Sequence, residues 1–329
     1  MKGYYDITNH VYILSCQKDG GIFHYLFNDG IFTQVDAASL DYPMYAIIKN
    51  NKMYVILKEV DEQTHFGGII SYDIDPDGKL INPSPIESTN GIEPCHLEAS
   101  DDAVYIVNYT SGNIIKLGER VITHQGSSWD PIRQEAAHTH FVCSSPDEQY
   151  ILCVDLGLDK IFVYTKDLDK VSEVNISLGY GPRHMIFSPK GDYAFVACEL
   201  SSTVEMFAYS GGNFSHLNSY SCLPKDMEKG ISSYAAAIRQ LGNYLYVSNR
   251  GHDSIAVFEI AENALHLLQI VPCGGHYPRD INILDHYLIV TNELSDQVTV
   301  FEISDQGTLT KRSAELNIPT PLCILSKDL

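Results

Sequence analysis

The chain has 329 residues, 44% of them hydrophobic, which is enough for a large core, and a formal charge of −20 from 42 acidic and 22 basic side chains. An acidic surface of that strength repels nucleic acid and anionic membranes, and no apolar stretch is long enough to cross a bilayer. Eight cysteines are scattered without a C-x-x-C pair, and Met1-Lys-Gly-Tyr-Tyr-Asp6 has no apolar h-region, so reduced thiols and a cytoplasmic protein are expected.

In chain order, Val11-Tyr-Ile-Leu-Ser-Cys16 and Gly21-Ile-Phe-His-Tyr-Leu-Phe27 read as a strand pair. A unit of 44 to 51 residues then recurs, its first strand starting near Pro43, Pro94, His138, Pro182, Ser233 and Pro278. Within a unit the pattern is strand, turn, strand, turn, strand. Ser111-Gly-Asn113, Pro146-Asp-Glu148, Pro189-Lys-Gly-Asp192 and Gly251-His-Asp-Ser254 supply the turns. The longest irregular stretch is expected at about 218–232. A seventh start, at Pro321-Leu-Cys-Ile-Leu, has no following strands, so the N-terminal pair is expected to complete its blade. Closing the ring in this way removes open sheet edges. The predicted fold is an all-β, seven-bladed propeller, a single domain over residues 1–329.

In an antiparallel hairpin the start of strand one and the end of strand two share a rim. In the fourth unit those places hold Arg183 and Glu199. The same phase gives His96, His138, His140, His184 and Arg279 at strand starts. At strand ends it gives Asn108, Asp155, Asn249, Arg250, Asn292 and Glu293. Three of the seven arginines fall in this small set. Guanidinium, imidazole and carboxylate together suit a small anionic substrate and its proton transfers. Other readings stay open. Arg183 and Glu199 also fit a buried ion pair that only joins two strands. His138 and His140, two apart on a strand, face one side and match a zinc spacing, but no third ligand is assigned. Arg250 and Arg279 are either anion ligands or loop arginines. No Gly-rich dinucleotide loop is present, so no redox cofactor is expected. The oligomeric state is left open.

Several segments, in order, carry a family resemblance. They are Pro94-Cys-His96, Asn108-Tyr-x-Ser-Gly112, His138-Thr-His140, Asp155-Leu-Gly157, Gly181-Pro-Arg-His184, Glu199-Leu200, Ser248-Asn-Arg-Gly251 and Pro278-Arg279. The chain resembles the seven-bladed lactonase propellers, which include bacterial propeller-type 6-phosphogluconolactonases and the fungal carboxymuconate-lactonising enzymes. The resemblance implies hydrolysis of 6-phospho-D-glucono-1,5-lactone to 6-phosphogluconate, a pentose phosphate pathway step, with neither metal nor cofactor. It implies His140, Arg183, Glu199 and Arg250 as the catalytic set; an ordinary imidazole pKa of about 6.5 suits His140 to general base or acid work, the role expected for it. His96, Asn108, His138, Asp155, His184, Asn249, Arg279 and Asn292 are the expected substrate-binding groups around it, Arg279 helping to hold the phosphate. A muconate-type cycloisomerase and a non-catalytic propeller that binds a ligand or protein on its rim are the alternatives. Two departures from the family pattern stand out. Cys198 occupies the place of an Asn before Glu-Leu, and Ile13-Leu-Ser-Cys16 replaces a Gly-Thr-Tyr start.

Overall fold

The computed structural model describes residues 9–226 and 232–327. The leader reading made on the first six residues lies outside them. The described chain forms seven antiparallel sheets arranged as propeller blades, and its one helical turn is Glu293–Ser295. The innermost strands are Pro43–Lys49, Pro94–Ala99, Thr139–Ser144, Pro182–Phe187, Tyr234–Leu241, Pro278–Leu284 and Pro321–Lys327. We number the blades one to seven in that order. Each start lies within one residue of its expected position.

Blade seven takes its inner strand from the C-terminal end and its other three, Asn9–Ser15, Gly21–Asn28 and Ile31–Ser39, from the N-terminal end. The ring closes as the sequence pattern requires. The strand count per blade differs from expectation. Blades carry four strands, and blade one gains a fifth, Glu87–Ile92. The unforeseen strands are the outermost, such as Lys170–Asn175 and Asn213–Ser221. They lie at the solvent edge and are largely exposed on both faces, so they lack the apolar alternation that marks a strand. Residues 218–221, expected to be irregular, belong to one of them, while 227–231 lie outside the described residues.

The core sits between blades. Phe195 and Met206 of blade four pack on Leu245, Val247 and Phe258 of blade five. Val11, Ile13 and Ile324 of blade seven pack on Ile289 and Val300 of blade six. Each such side chain contributes about 1.5–3 kcal/mol on burial, so a blade is stabilised by its neighbours. No disulfide joins the eight cysteines.

One irregularity recurs in every blade. The inner strand loses register with its neighbour at its second residue, or just beyond it in blade five, so that residue is skipped by the pairing. The skipped positions include Met44, Cys95, His140, Arg183, Ala236, Arg279 and Leu322. In five blades the preceding residue is Pro43, Pro94, Pro182, Pro278 or Pro321, which has no N–H to give the ladder. A bulge of this kind turns the next side chain out of the sheet's alternation. Here the turned side chains belong to the strands that line the channel.

The packing account makes a direct prediction. Phe195→Ala, which empties a fully buried site between blades four and five, should cost about 3–5 kcal/mol in urea unfolding.

Candidate active site

Two positions per blade supply the channel mouth: the bulged residue of the inner strand and the residue at the end of the second strand or just past it. The first gives His140, Arg183 and Arg279. The second gives Glu199, Arg250 and Glu293. Glu199 is set by its own N–H, which donates to Gly181 O at 2.7 Å. Gly181 has φ 61°, and a Cβ there would lie 2.6 Å from Leu200 Cγ, so the turn strongly favours glycine.

The Glu199 carboxylate is 3% exposed and meets three guanidiniums. Its Oε2 lies 2.5 Å from Arg250 Nη2 and 3.2 Å from Arg183 Nε. Its Oε1 accepts from Arg133 Nη2. The first two contacts are close ion pairs, and Arg250 Nε is buried without a hydrogen-bond partner. Arg183 Nη1 donates to Ala236 O at 2.8 Å and to His184 Nε2 at 3.1 Å. Arg250 lies over the Tyr277 ring at 5.2 Å, and Arg279 pairs with Glu293 at 3.4 Å. In all, four guanidiniums face two carboxylates, a surplus of positive charge in a protein whose overall charge is strongly negative.

That field sets the protonation states. Burial acts to raise the Glu199 pKa, but Arg250, Arg183 and Arg133 outweigh it and hold the carboxyl well below its usual range. Burial, with repulsion from Arg250 and Arg279, pulls Arg183 down to about 9, which leaves it charged at neutral pH. His140 is pushed well below 6.5, first by burial and then by Arg183. The expectation of an ordinary imidazole pKa therefore fails: this imidazole is neutral, and its buried Nδ1 has no partner.

The other expected site residues divide into three groups. His96 and His184 line the channel below the mouth. Their rings are 5.6 Å apart, His184 is 5.6 Å from His140, and His96 packs on Tyr45 and Phe141 at 4.4 and 4.1 Å. The bulge falls at His140, which the strand pairing skips, yet His138 and His140 both lie against the Tyr109 ring, at 4.5 and 5.7 Å. His138 stays on the rim, stacked on Tyr109 at 4.5 Å, with Nδ1 at Tyr109 O and Nε2 at Glu135. Among the described residues no group of three or more His, Cys, Asp or Glu side chains is arranged to hold a metal.

Asn108, Asp155, Asn249 and Asn292 form the third group, and the expectation that they bind substrate is corrected. All four are fully buried inside the blades. Asn108 Nδ2 donates to Thr89 O and Asn249 Nδ2 to Cys222 O, both on the preceding blade. Asn292 donates to Thr299 Oγ1, which in turn donates to Cys273 O. Asp155 accepts from the His138 and Leu158 N–H groups and pairs with His124 at 2.6 Å. These four clip neighbouring blades together. Side chains alternate along a strand, so only the residue after each clip reaches the mouth. Cys198 stands at the clip position of blade four, buried in the core. Its departure from the family pattern therefore bears on blade packing.

Arg133 was not anticipated. It lies on the connection between Arg120–Thr123 and Thr139–Ser144, outside the strand phase that located the others. The only hint in the sequence is a scarce arginine five residues before His138.

Seven blades surround a mouth at which four guanidiniums meet two carboxylates. The chain belongs to the seven-bladed β-propeller lactonase family, whose model matches residues 10–326. A 6-phosphogluconolactonase of Bacillus subtilis is 32% identical over 312 residues, 88% of each chain. An uncharacterised Staphylococcus saprophyticus protein is also 32% identical, over 81% of this chain and 83% of its own. Among solved structures, the periplasmic gluconolactonase of Pseudomonas aeruginosa superposes with a TM-score of 0.89 at 25% identity, over 97% of this chain and 99% of that one. A Lactobacillus plantarum protein gives 0.89 at 27% identity, over 98% and 100%.

The depressed Glu199 pKa carries a stability consequence. Its contribution is complete above the ordinary value of 4.5 and is lost as pH falls towards the lower folded-state value. Glu199→Gln should be less stable at pH 7 by about 3–5 kcal/mol, since guanidiniums are left without their carboxylate. It should also decline less steeply than wild type below pH 4.5. Urea titrations at pH 7, 5, 4 and 3 would read both effects.

Proposed function

We propose that the protein is a lactonase acting at this mouth on a small anionic lactone, 6-phospho-D-glucono-1,5-lactone being the favoured substrate. The observation that carries this reading is the surplus of guanidinium over carboxylate at the channel mouth. A phosphate monoester dianion would balance it. Family membership supports lactone chemistry, and the name of the Bacillus subtilis relative supports the phosphorylated substrate. A phosphorylated sugar also suits the cytoplasmic setting that the unpaired thiols suggest.

In the proposed mechanism the phosphate docks beside Arg279, and the lactone carbonyl faces the guanidiniums of Arg183 and Arg250. Water adds to the carbonyl carbon and gives its proton to the neutral His140 imidazole. The two guanidiniums stabilise the resulting oxyanion. The ring C–O bond then breaks, the imidazolium proton passes to the departing ring oxygen, and the product is an acid with a free hydroxyl. In the empty site burial, and after it Arg183, depresses the His140 pKa. A bound dianion offsets the Arg183 part of that depression. Glu199 remains ionised and holds Arg183 and Arg250 in place.

The same surplus charge would accept a dicarboxylate, which keeps a muconate-type cycloisomerisation as the second reading. The test is hydrolysis of the phospholactone, made freshly in situ, followed above its spontaneous rate near neutral pH. Turnover is expected, with a loss on the order of 10²–10³-fold in Arg183→Ala. A folded wild-type protein that leaves the spontaneous rate unchanged would sink the phospholactone reading, and turnover of a muconate in the same assay would replace it.

A further inference from the structure

We infer that Arg133 is a substrate-binding residue, a loop-borne guanidinium that covers Glu199 in the empty site and transfers to the anionic group of the incoming lactone. The inference rests on the reading of this mouth as the substrate site, and it concerns a residue outside the strand-borne set.

The three arginines on Glu199 are not equivalent. Arg183 and Arg250 come from blade strands, share Oε2, and have side chains only 3% and 5% exposed. Arg133 alone takes Oε1, comes from a connecting loop, and is 34% exposed. It is the member of the cluster that solvent, or a ligand, meets first. Glu199 is also already paired twice without it, so the third guanidinium is surplus to compensating the buried carboxylate.

The loop holds its backbone firmly while leaving this side chain unenclosed. Asp130 Oδ1 accepts from the Ile132 and Arg133 N–H groups at 2.9 and 3.0 Å. Gln134, fully buried, accepts from the Asp130 N–H and donates to Leu156 O at 2.8 Å. The base of the Arg133 side chain is thus fixed. Its guanidinium lies 5.6 Å from the Tyr234 ring and interacts with Tyr109. Aromatic neighbours of this kind hold a guanidinium without enclosing it. Rotation about its side-chain torsions would exchange the Oε1 contact for a phosphate or carboxylate oxygen, one charge-assisted hydrogen bond for another.

The experiment compares wild type with Arg133→Gln and Arg133→Lys. Arg120→Gln serves as control, since Arg120 pairs with Asp169 away from the mouth. KM and kcat are measured with 6-phosphogluconolactone and with neutral glucono-1,5-lactone, and binding of 6-phosphogluconate, gluconate and cis,cis-muconate is followed by calorimetry. Thermal melts confirm that each variant is folded. We expect Arg133→Gln to raise KM for the phosphorylated lactone on the order of tenfold or more. The effect on kcat should be much smaller, as should the effect on the neutral lactone. Arg133→Lys should fall between Arg133→Gln and wild type, and the control should match wild type. An unchanged KM, or equal losses on charged and neutral lactones, would overturn the inference while leaving a lactonase intact. If wild type hydrolyses neither lactone but binds 6-phosphogluconate or muconate more tightly than Arg133→Gln does, the lactonase reading falls and the inference stands. Absence of binding to any of these anions, or equal binding by the variant, overturns it.

Discussion

The structure turns on one buried carboxylate. Glu199 draws guanidiniums from three separate places: a loop after blade two, the inner strand of blade four, and the second strand of blade five. Two unit charges about 4 Å apart in an effective dielectric of about 20 attract by about 4 kcal/mol. Without Glu199 the cations would repel one another and spread apart. With it they converge, and their remaining N–H groups stay close together in a region poor in water. The desolvation this demands is heavy, and it is supported by the apolar layers between blades, which hold the strands rigid enough to keep the charges in place.

The recurring bulge shows how a repeat can build a one-sided site. The same backbone device occurs at the start of all seven inner strands, yet only three of the bulged positions carry ionic or imidazole groups. The others hold Met44, Cys95, Ala236 and Leu322. Geometry is therefore shared around the ring, and chemistry is confined to an arc from blade three to blade six. The small Ala236 also lets the Arg183 guanidinium reach its carbonyl oxygen.

Inner strands were legible in the sequence because proline and apolar runs mark their starts, and because a fixed period checks each start against the next. Outer strands were not, since Lys170–Asn175 and its counterparts are polar on both faces and differ little from loops. At the site, phase counting reached Arg183, Glu199, Arg250 and Arg279 but also swept in Asn108, Asp155, Asn249 and Asn292. One residue of shift separates a mouth position from a clip, and polar side chains suit both. The bulge at His140 was likewise not legible, since a bulge is invisible to a period of two. Arg133 was out of reach altogether, because a loop carries no period.

Ring closure bears on how the molecule comes into being. Asn9–Ser15 pairs with Pro321–Lys327, so nearly the whole chain separates the two partners of one hairpin. During synthesis from the N-terminus, the apolar edge of Asn9–Ser15 waits without its neighbour until the final strand is made. Contacts at such sequence separation are slow to form and leave sticky edges exposed in the meantime. The charged residues from His140 to Glu293 are translated before that last strand, yet their rigid frame is complete only when the circle shuts.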